Sequence, residues 1–260
     1  MTHDAFVLSD VGCVRGHNED DALVLAGMQV YAVADGMGGH SSGEIASQLS
    51  VRAFGSAYRD PERRRQIKEE WKREQGDLGA DCVPSLDEYQ LRQAVTLANE
   101  TIFSHAARKP ELGDMGTTFV ALSFSGSHVY VAFVGDSRAY RSRDGVLEQL
   151  TEDHSLANDL IRAKALKPED LDAFPYKNVI VRALGLQAQV QVDSFRRTAR
   201  PGDRYLLCSD GLSDLIRNDD IGDILGAKKG AEATAEVLVE RAMDAGGNDN
   251  ITALIVDLHE

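Results

Sequence analysis

The sequence predicts an α+β protein in which antiparallel β-sheets pack against helices. Two observations support this fold class. Short runs rich in apolar and β-branched residues occur in groups along the chain, and blocks of helical periodicity separate these groups. Strands that occur together and helices that occur together are typical of α+β proteins, whereas a regular alternation of the two would indicate a parallel sheet.

Nine runs have the composition and length of β-strands. They cover residues 5–9, 22–25, 30–34, 117–124, 128–134, 137–141, 190–195, 204–208 and 251–258. Short turn-forming pieces, Ser125 to Ser127 and then Gly135 with Asp136, separate the fourth, fifth and sixth runs. Because connections this short join antiparallel strands, we expect these three runs to be antiparallel neighbours.

Three segments have the apolar periodicity of amphipathic helices: residues 42–58, 86–107 and 231–243. The polar segment 60–84 predicts a helix followed by a mobile loop. Residues 155–178 predict short helices in a surface excursion between strands. Neither an internal repeat nor a low-complexity tract divides the chain, so we predict a single domain over residues 1–260.

Composition and charge argue against several classes of protein. The formal net charge of −14 disfavours nucleic acid as the main partner, because binding to a phosphate backbone requires clustered Lys and Arg. The three cysteines lie far apart without a C-x-x-C pair, so we expect neither a disulfide framework nor a zinc cluster. Neither a signal peptide nor an apolar run of membrane-spanning length is evident, so we expect a cytoplasmic protein that does not contact membranes.

Aspartates recur where the apolar runs end. Asp35, Asp136 and Asp210 each follow such a run, and Asp249 comes just before the last run. A single Asp-Gly pair usually marks a tight turn. Several such acids at the ends of adjacent strands, however, would place carboxylates together at one edge of a sheet, where they repel one another unless a cation lies between them.

Oxygen ligands without clustered Cys or His point to Mg²⁺ or Mn²⁺. Two such ions roughly 3.5–4 Å apart can share a bridging carboxylate or hydroxide and direct an in-line attack on phosphorus. A glycine after the acid, such as Gly36 after Asp35, would let the backbone carbonyl approach the metal. In segment 10–21, Arg15 is either paired with Glu19 in a polar loop, or it binds a phosphate bidentately while Glu19 orients metal-bound water.

The glycine-rich segment after Asp35 allows a second interpretation. Residues 39–43, GHSSG, match the G-x-S-x-G pattern of a serine hydrolase, with Ser41 as the nucleophile. Such a serine follows its strand almost at once, whereas this apolar run ends well before Ser41, at Ala34. We therefore expect Ser41 or Ser42 to be the N-cap of a helix.

Eight short motifs follow one another along the chain. They are RGHNED (15–20), VADGMGG (33–39), MGTT (115–118), VGDSR (134–138), LTEDHS (150–155), RALG (182–185), SDGL (209–212) and NDNIT (248–252). Each is weakly specific alone. Together, in this order, they resemble the metal-dependent Ser/Thr protein phosphatases of type 2C in their bacterial form.

This resemblance implies a four-layer αββα sandwich of two antiparallel β-sheets flanked by helices, with a binuclear Mn²⁺ or Mg²⁺ centre at one end. Asp35 would bridge both metals, and Asp210 and Asp249 would complete the first site. The Gly36 carbonyl would help to bind the second metal. Glu19 and Asp20 would hold metal-bound waters. Arg15 would bind the substrate phosphate while a bridging hydroxide hydrolyses phosphoserine or phosphothreonine directly.

The resemblance also implies a third, weaker metal site built by Asp136 and Asp210, which Asp214 could face from the following helix. Residues 155–178 would be the variable flap beside the active site. Met37 stands where eukaryotic relatives carry a histidine proposed as the general acid, so we expect metal-bound water to supply the leaving-group proton. We expect structural hydrogen bonding from His154, Thr117 and Thr118, and a buried, non-nucleophilic Cys208.

The implied partners are phosphorylated proteins, above all a Ser/Thr kinase whose signalling the enzyme reverses, and we expect a monomer. A catalytically inactive phosphoprotein-binding module is the non-enzymatic alternative. Such a module should lack one or more of the metal-binding acids, and every expected acid is present in this sequence.

Overall fold

The protein is described by a computed structural model that covers residues 1–39, 42–79, 82–109, 112–227 and 229–260. Two antiparallel β-sheets lie face to face, and helices cover the outer surface of each sheet. The layers therefore follow the order helix, sheet, sheet, helix. The predicted α+β class and the αββα sandwich are confirmed.

Both sheets combine strands that are distant in sequence, and their pairings are antiparallel. The first sheet contains, in spatial order, β1 (Thr2–Asp10), β11 (Ile251–His259), β10 (Arg204–Cys208), β7 (Arg138–Arg143) and β8 (Val146–Gln149). The second contains β2 (Asp20–Leu25), β3 (Val30–Met37), β5 (Phe119–Ser125), β6 (His128–Val134) and β9 (Asp193–Thr198), with the short β4 (Gly116–Thr117) beside β3.

The helices form a group on each side of the sandwich. On the second sheet lie α1 (Ser42–Arg59) and α3 (Leu86–Arg108), with α2 (Pro61–Leu78) packed against both, and on the first sheet lie α5 (Asp210–Ser213), α6 (Asn218–Gly226) and α7 (Ala231–Asp244). The excursion 155–178 contains α4 (Leu156–Arg162) and a 3-10 turn (Pro168–Ala173), as predicted. In the described ranges, every helix is too short or too polar to cross a membrane.

The alternation of side chains along β3 explains how one strand serves two cores. Val30, Ala32 and Ala34 pack under the helices, whereas Tyr31 and Val33 point between the two sheets. Because both faces of the strand are buried, its sequence is a continuous apolar run and not a polar–apolar alternation. Each large side chain buried in this way contributes roughly 1.5–3 kcal/mol to folding.

The helices begin at the polar residues that favour helix starts. The Asp60 side chain accepts a hydrogen bond from the N–H of Glu62 at the start of α2. The Ser85 hydroxyl accepts one from the N–H of Glu88 at the start of α3. Such caps satisfy N–H groups that the first helical turn leaves without partners.

The prediction that runs 128–134 and 137–141 are antiparallel neighbours is wrong. The first run forms β6 in the second sheet, whereas the other becomes β7 in the first sheet. Gly135 adopts φ 104°, and a Cβ there would lie 2.6 Å from Cβ of Thr118. The Gly135–Asp136 pair therefore carries the chain across the sandwich instead of closing a hairpin.

Other element boundaries also differ from the prediction. The run 190–195 is replaced by β9, because Val190 and Val192 pack against the helix-side core without joining the sheet. Residues 117–124 are divided between β4 and β5. β8, α5 and α6 lie outside the predicted elements. β8 and α5 have only four residues each, whereas α6 does have helical spacing, in Ile221, Ile224 and Leu225, that the prediction overlooks.

Candidate metal centre

The predicted acids lie at one end of the sandwich. Asp20 opens β2 and faces Asp35 across the β2–β3 pairing. Asp210 follows β10 after one residue, Ser209, and starts α5, while Asp249 precedes β11, the strand that pairs with β10. The antiparallel topology therefore gathers carboxylates that are far apart in the sequence.

The backbone of Asp35 is fixed by the two threonines of the MGTT motif. The Asp35 carbonyl accepts hydrogen bonds from the Thr117 hydroxyl and from the N–H of Thr118, each at 2.8 Å. The N–H of Asp35 donates to the Thr118 hydroxyl at 3.2 Å. Both threonines thus have the expected hydrogen-bonding role, and the Asp35 carboxylate is left to face the other acids.

Gly36 is required by the close approach of three backbone segments. A Cβ at Gly36 would lie 2.1 Å from the Gly43 carbonyl oxygen in α1 and 2.6 Å from the Glu19 carbonyl oxygen. A Cβ at Gly43 would in turn lie 2.7 Å from Cδ of Glu19. The end of β3, the start of α1 and the loop before β2 can pack this closely only because both positions are glycine.

Two buried carboxylate oxygens at this end have no hydrogen-bond partner within the part of the chain that the structure describes. Oδ2 of Asp20 accepts hydrogen bonds from Ser209 at 2.7 Å and from Thr252 at 2.6 Å, but its Oδ1 has no partner among the described residues. Within the same residues, Oδ1 of the buried Asp136 also has none. Because an unsatisfied buried acceptor is costly, such oxygens indicate a missing donor or cation.

The acids shift one another's pKa values upward. Burial, followed by repulsion from neighbouring carboxylates, raises the pKa of Asp210 to about 6 and that of Asp136 to about 8. Burial also raises the pKa of Asp20 to about 7, with Asp210 and Asp249 adding to the rise. The pKa of Asp35 is raised well above its ordinary value for the same reasons. A divalent cation would remove this penalty, so the oxygen-only donor set fits Mg²⁺ or Mn²⁺.

Arg15 pairs with Asp249 and not with Glu19. Its guanidinium donates to Oδ2 of Asp249 at 2.6 Å, with half of the Arg15 side chain exposed. Glu19 instead lies 3.1 Å from Nε2 of His17. The alternative of an Arg15–Glu19 ion pair in a polar loop is therefore wrong, although Arg15 does lie at the acidic end of the sandwich.

Asn250 organises the loop that carries Arg15 and Glu19. Its Oδ1 accepts a hydrogen bond from the Glu19 N–H at 2.7 Å, and its Nδ2 donates to the carbonyls of Val11 and His17. Sequence reasoning did not assign this role to Asn250, or the roles of Ser209 and Thr252 beside Asp20. Their position inside the SDGL and NDNIT motifs was the only available signal.

Asp35, Asp210 and Asp249 are close, but they are not fully converged on one point. Besides burial, repulsion from Asp210 contributes to the raised pKa of Asp35, whereas Asp249 is held by Arg15. In the described part of the chain, one trio of His and acidic side chains has ligand atoms that all lie within 4.8 Å of one another. This trio is Asp4, Asp257 and His259, and it lies outside the centre. There Arg204 contacts both oxygens of Asp257 and already supplies a positive charge.

Asp214 lies beside Asp210 and contacts the excursion 155–178, which we call the flap. The Asp214 N–H donates to the Asp210 carbonyl, and Oδ2 of Asp214 accepts a hydrogen bond from Asn178 at 2.8 Å. A cavity of ≈ 270 Å³ extends from Asp136 and Asp210 to the flap residue Lys177. The flap therefore borders the acidic centre.

His154 has the structural role that was predicted. Its ring stacks on Phe133, and its Nδ1 accepts a hydrogen bond from the Gly135 N–H at 3.0 Å. The backbone N–H of His154 donates to the Gly135 carbonyl, and Nε2 lies 3.3 Å from Asp193. His154 thus fixes the turn that immediately precedes Asp136.

Of the two alternative nucleophiles, Ser41 and Cys208, the described residues include only Cys208. Ser41, the candidate hydrolase nucleophile and N-cap, lies outside the described residues, and α1 is described from Ser42 onwards. Cys208 is fully buried, and burial raises the pKa of its thiol to about 12. A thiol of this kind is a core residue and not a nucleophile.

Comparisons with known proteins agree with this geometry. The family model for protein phosphatase 2C matches residues 13–251. The serine/threonine phosphatase stp of Listeria welshimeri is 38% identical over 252 residues, which cover 96% of this chain and 93% of that protein. The serine/threonine protein phosphatase PstP of Mycobacterium tuberculosis is 38% identical over 250 residues, which cover 96% of this chain and 44% of PstP.

Solved structures give the same result. The crystal structure of the Mycobacterium tuberculosis phosphatase PstP/Ppp has a TM-score of 0.86 and 36% identity, with complete coverage of both chains. The catalytic domain of PstP in complex with two manganese ions has a TM-score of 0.80 and 34% identity, with 99% of each chain covered. The comparisons favour neither a serine hydrolase nor an inactive binding module. This chain belongs to the bacterial branch of the protein phosphatase 2C family.

Proposed function

We propose that this protein is a metal-dependent protein phosphatase that hydrolyses phosphoserine and phosphothreonine. One observation carries the proposal: buried carboxylate oxygens of Asp20 and Asp136 have no partner among the described residues, in a cluster of acids that lies beside the exposed Arg15. A cluster of this kind can hold divalent cations next to a group that binds phosphate. The family membership supports the same reaction.

The proposed metal centre contains two ions held by side chains from both sheets. Asp35 would bridge the ions, Asp210 and Asp249 would complete the first site, and the Gly36 carbonyl would contribute to the second. Asp136, Asp210 and Asp214 would hold a third and weaker ion, for which the cavity under the flap leaves space. Mn²⁺ is the first ion to test because a relative was solved with two manganese ions, and Mg²⁺ is the alternative.

The chain's own residues supply binding, orientation and charge. Divalent ions, when bound, lower the pKa of water and stabilise charge on phosphoryl oxygens. Arg15 would bind two phosphate oxygens, and Glu19 and Asp20 would orient water molecules in the centre. Met37 has no transferable proton, so we propose that water in the centre protonates the serine or threonine leaving group.

The proposed substrates are phosphorylated proteins, including a Ser/Thr kinase and the cytoplasmic targets of that kinase. Relatives named as serine/threonine phosphatases support a phosphoprotein substrate. We further propose that the single domain acts as a monomer, since the acids assigned to the centre all come from one chain.

The decisive experiment is hydrolysis of a phosphothreonine peptide by wild-type protein, Asp210→Asn and Ser41→Ala, each with Mn²⁺ and with a chelator. Asp219→Asn, on the exposed face of α6, is the matched control for loss of one acidic charge. We expect activity only with metal, loss of activity in Asp210→Asn, and wild-type rates in the other two variants. Chelator-resistant activity, or an inactive Ser41→Ala beside an active Asp210→Asn, would refute the proposal.

A further inference from the structure

The outer edge of the second sheet is an exposed basic strand in an otherwise acidic protein. β9 pairs with β6 on one side only and ends the spatial order of that sheet. Residues 194–202, SFRRTARPG, contain three arginines and no acid, although the chain has a net charge of −14. Arg196, Arg197 and Arg200 are all exposed.

These three arginines form no ion pair with any described carboxylate. The Arg197 guanidinium lies 4.6 Å from the centre of the Phe195 ring and donates to the Arg196 carbonyl, so it is held against its own strand. Other arginines nearby already have acidic partners: Arg141 pairs with Glu148, and Arg143 pairs with Asp203. The unpaired positive charge is therefore concentrated along the edge of β9.

The backbone of β9 presents hydrogen-bonding groups to solvent at alternate residues. The Ala199 N–H donates to the Ser127 carbonyl, so Ala199 and, by alternation, Arg197 direct their backbone groups inwards. Arg196 and Thr198 consequently direct theirs outwards. The Thr198 carbonyl agrees with this orientation, because it accepts hydrogen bonds from Arg141 and Arg143. The Arg196 carbonyl is likewise occupied, by the Arg197 guanidinium, so the outward N–H groups of Arg196 and Thr198 are the backbone groups that a further strand can bind without displacing an arginine side chain.

The basic edge leads away from the metal centre. Asp193, at the start of β9, pairs with Phe133 near the end of β6 that precedes Asp136. At about 3.3 Å per residue, Arg197 lies roughly 13 Å further along the strand than Asp193. A segment bound at this edge would therefore leave the acidic centre free.

We propose that the β9 edge is a docking site for an extended acidic segment of a partner protein, which adds to the sheet as a further strand. Backbone hydrogen bonds would give affinity, and carboxylates opposite Arg196, Arg197 and Arg200 would give specificity. Charged residues on an edge strand also prevent pairing with a second copy of the same edge, because the arginines repel one another. The same charges select an acidic strand. This inference does not depend on the phosphatase reaction.

The probe is a short fluorescent peptide of alternating Glu and Thr, whose binding is measured by anisotropy at low and high salt. Wild-type protein should bind it, with affinity falling as salt rises. The variant Arg196→Glu/Arg197→Glu/Arg200→Glu should bind at least about tenfold more weakly. Its control, Arg63→Glu/Arg64→Glu/Lys68→Glu, makes the same charge change on the exposed face of α2 and should bind like the wild type. Equal weakening in both variants would mean that only net charge matters and would overturn the proposal.

Two single variants separate the backbone contribution from the charge. Arg196→Ala removes one charge, and Arg196→Pro removes the same charge and the outward N–H, a change that an edge strand tolerates. We expect Arg196→Pro to bind the peptide more weakly than Arg196→Ala, with both variants folded by circular dichroism. Equal binding by the two variants would rule out strand addition.

Three further ligands test the class of partner. A Lys–Thr peptide, a short single-stranded DNA and phosphatidylglycerol vesicles are offered to the same variants. We expect only the acidic peptide to depend on Arg196, Arg197 and Arg200. If DNA or vesicles bind as strongly as the acidic peptide and with the same dependence on the arginines, the partner is a nucleic acid or a membrane and not a protein. If the wild-type protein binds no acidic peptide, the docking site is refuted.

Discussion

The guanidinium of Arg15 donates a 2.6 Å hydrogen bond to the carboxylate of Asp249. The residue assigned to substrate phosphate and an acid assigned to the first metal site therefore neutralise each other in the protein alone. A divalent ion that takes up Asp249 would compete with Arg15 for this carboxylate. Metal binding and the availability of Arg15 for phosphate should consequently be linked.

Replacing Arg15 by Ala should weaken substrate binding without weakening metal binding. The loss of a charge-assisted phosphate contact is expected to raise KM for a phosphothreonine peptide by about 10- to 100-fold. Affinity for Mn²⁺ should stay the same or rise by up to about fivefold, because a half-exposed ion pair is worth at most about 1 kcal/mol. Steady-state kinetics and calorimetric titration with Mn²⁺ measure the two effects. An unchanged KM with weakened Mn²⁺ binding would contradict the assigned role.

The stability of the metal-free protein should fall as pH rises. The pKa of Asp20 is raised to about 7 and that of Asp136 to about 8, so the folded state holds protons that the unfolded chain has released. The free energy of unfolding therefore decreases with pH up to these values and then levels off. Burial lowers the pKa of His154 from its ordinary value of 6.5, so this residue affects the pH dependence of stability only below pH 6.5.

Thermal unfolding in chelator, at about pH 6.5 and about pH 8.5, tests this expectation. We expect a lower Tm at the higher pH, a smaller decrease in Asp136→Asn, and no decrease with saturating Mn²⁺. A Tm that rises with pH in the chelated protein would show that the carboxylates do not repel one another as described.

Gly36→Ala should disrupt the centre by a steric effect alone. The new Cβ would lie 2.1 Å from the Gly43 carbonyl oxygen, and neither β3 nor α1 can move away without losing its packing. We expect a loss of about 3 kcal/mol or more in the free energy of unfolding, together with loss of Mn²⁺ binding. Gly39→Ala is the matched control, because a Cβ there meets nothing within 4 Å. Urea unfolding that gives similar values for both variants would exclude the steric explanation.

His154→Ala should destabilise the turn before Asp136. The variant leaves the buried Gly135 N–H without its acceptor and removes a ring that stacks on Phe133, at a cost of about 2–4 kcal/mol. His154→Asn should recover part of this cost, since its side-chain oxygen can take the place of Nδ1. Urea unfolding in chelator compares the variants, and equal losses in Ala and Asn would show that the hydrogen bond is unimportant.

Local patterns predicted most of the strands and helices because their signals lie within a few residues. The continuous apolar run that makes β3 a strand buried on both faces is visible in a short window, and so is the four-residue spacing that places Leu91 and Val95 of α3 in the core. The short elements β8 and α5, of four residues each, carry too few residues for such a signal. The predicted strand 190–195 is misplaced for another reason. Its valines, Val190 and Val192, pack against the core without pairing in the sheet, and the strand β9 extends through Arg196 and Arg197.

The sequence by itself determined the α+β class, the acids at strand ends and the order of motifs that marks the family. Only the tertiary structure decided that Gly135 and Asp136 cross between sheets, that Arg15 contacts Asp249, and that β9 forms an open basic edge. Arg15 and Asp249 are 234 positions apart. A contact over such a separation depends on how the sheets pair and pack, and no local pattern of residue types encodes that pairing.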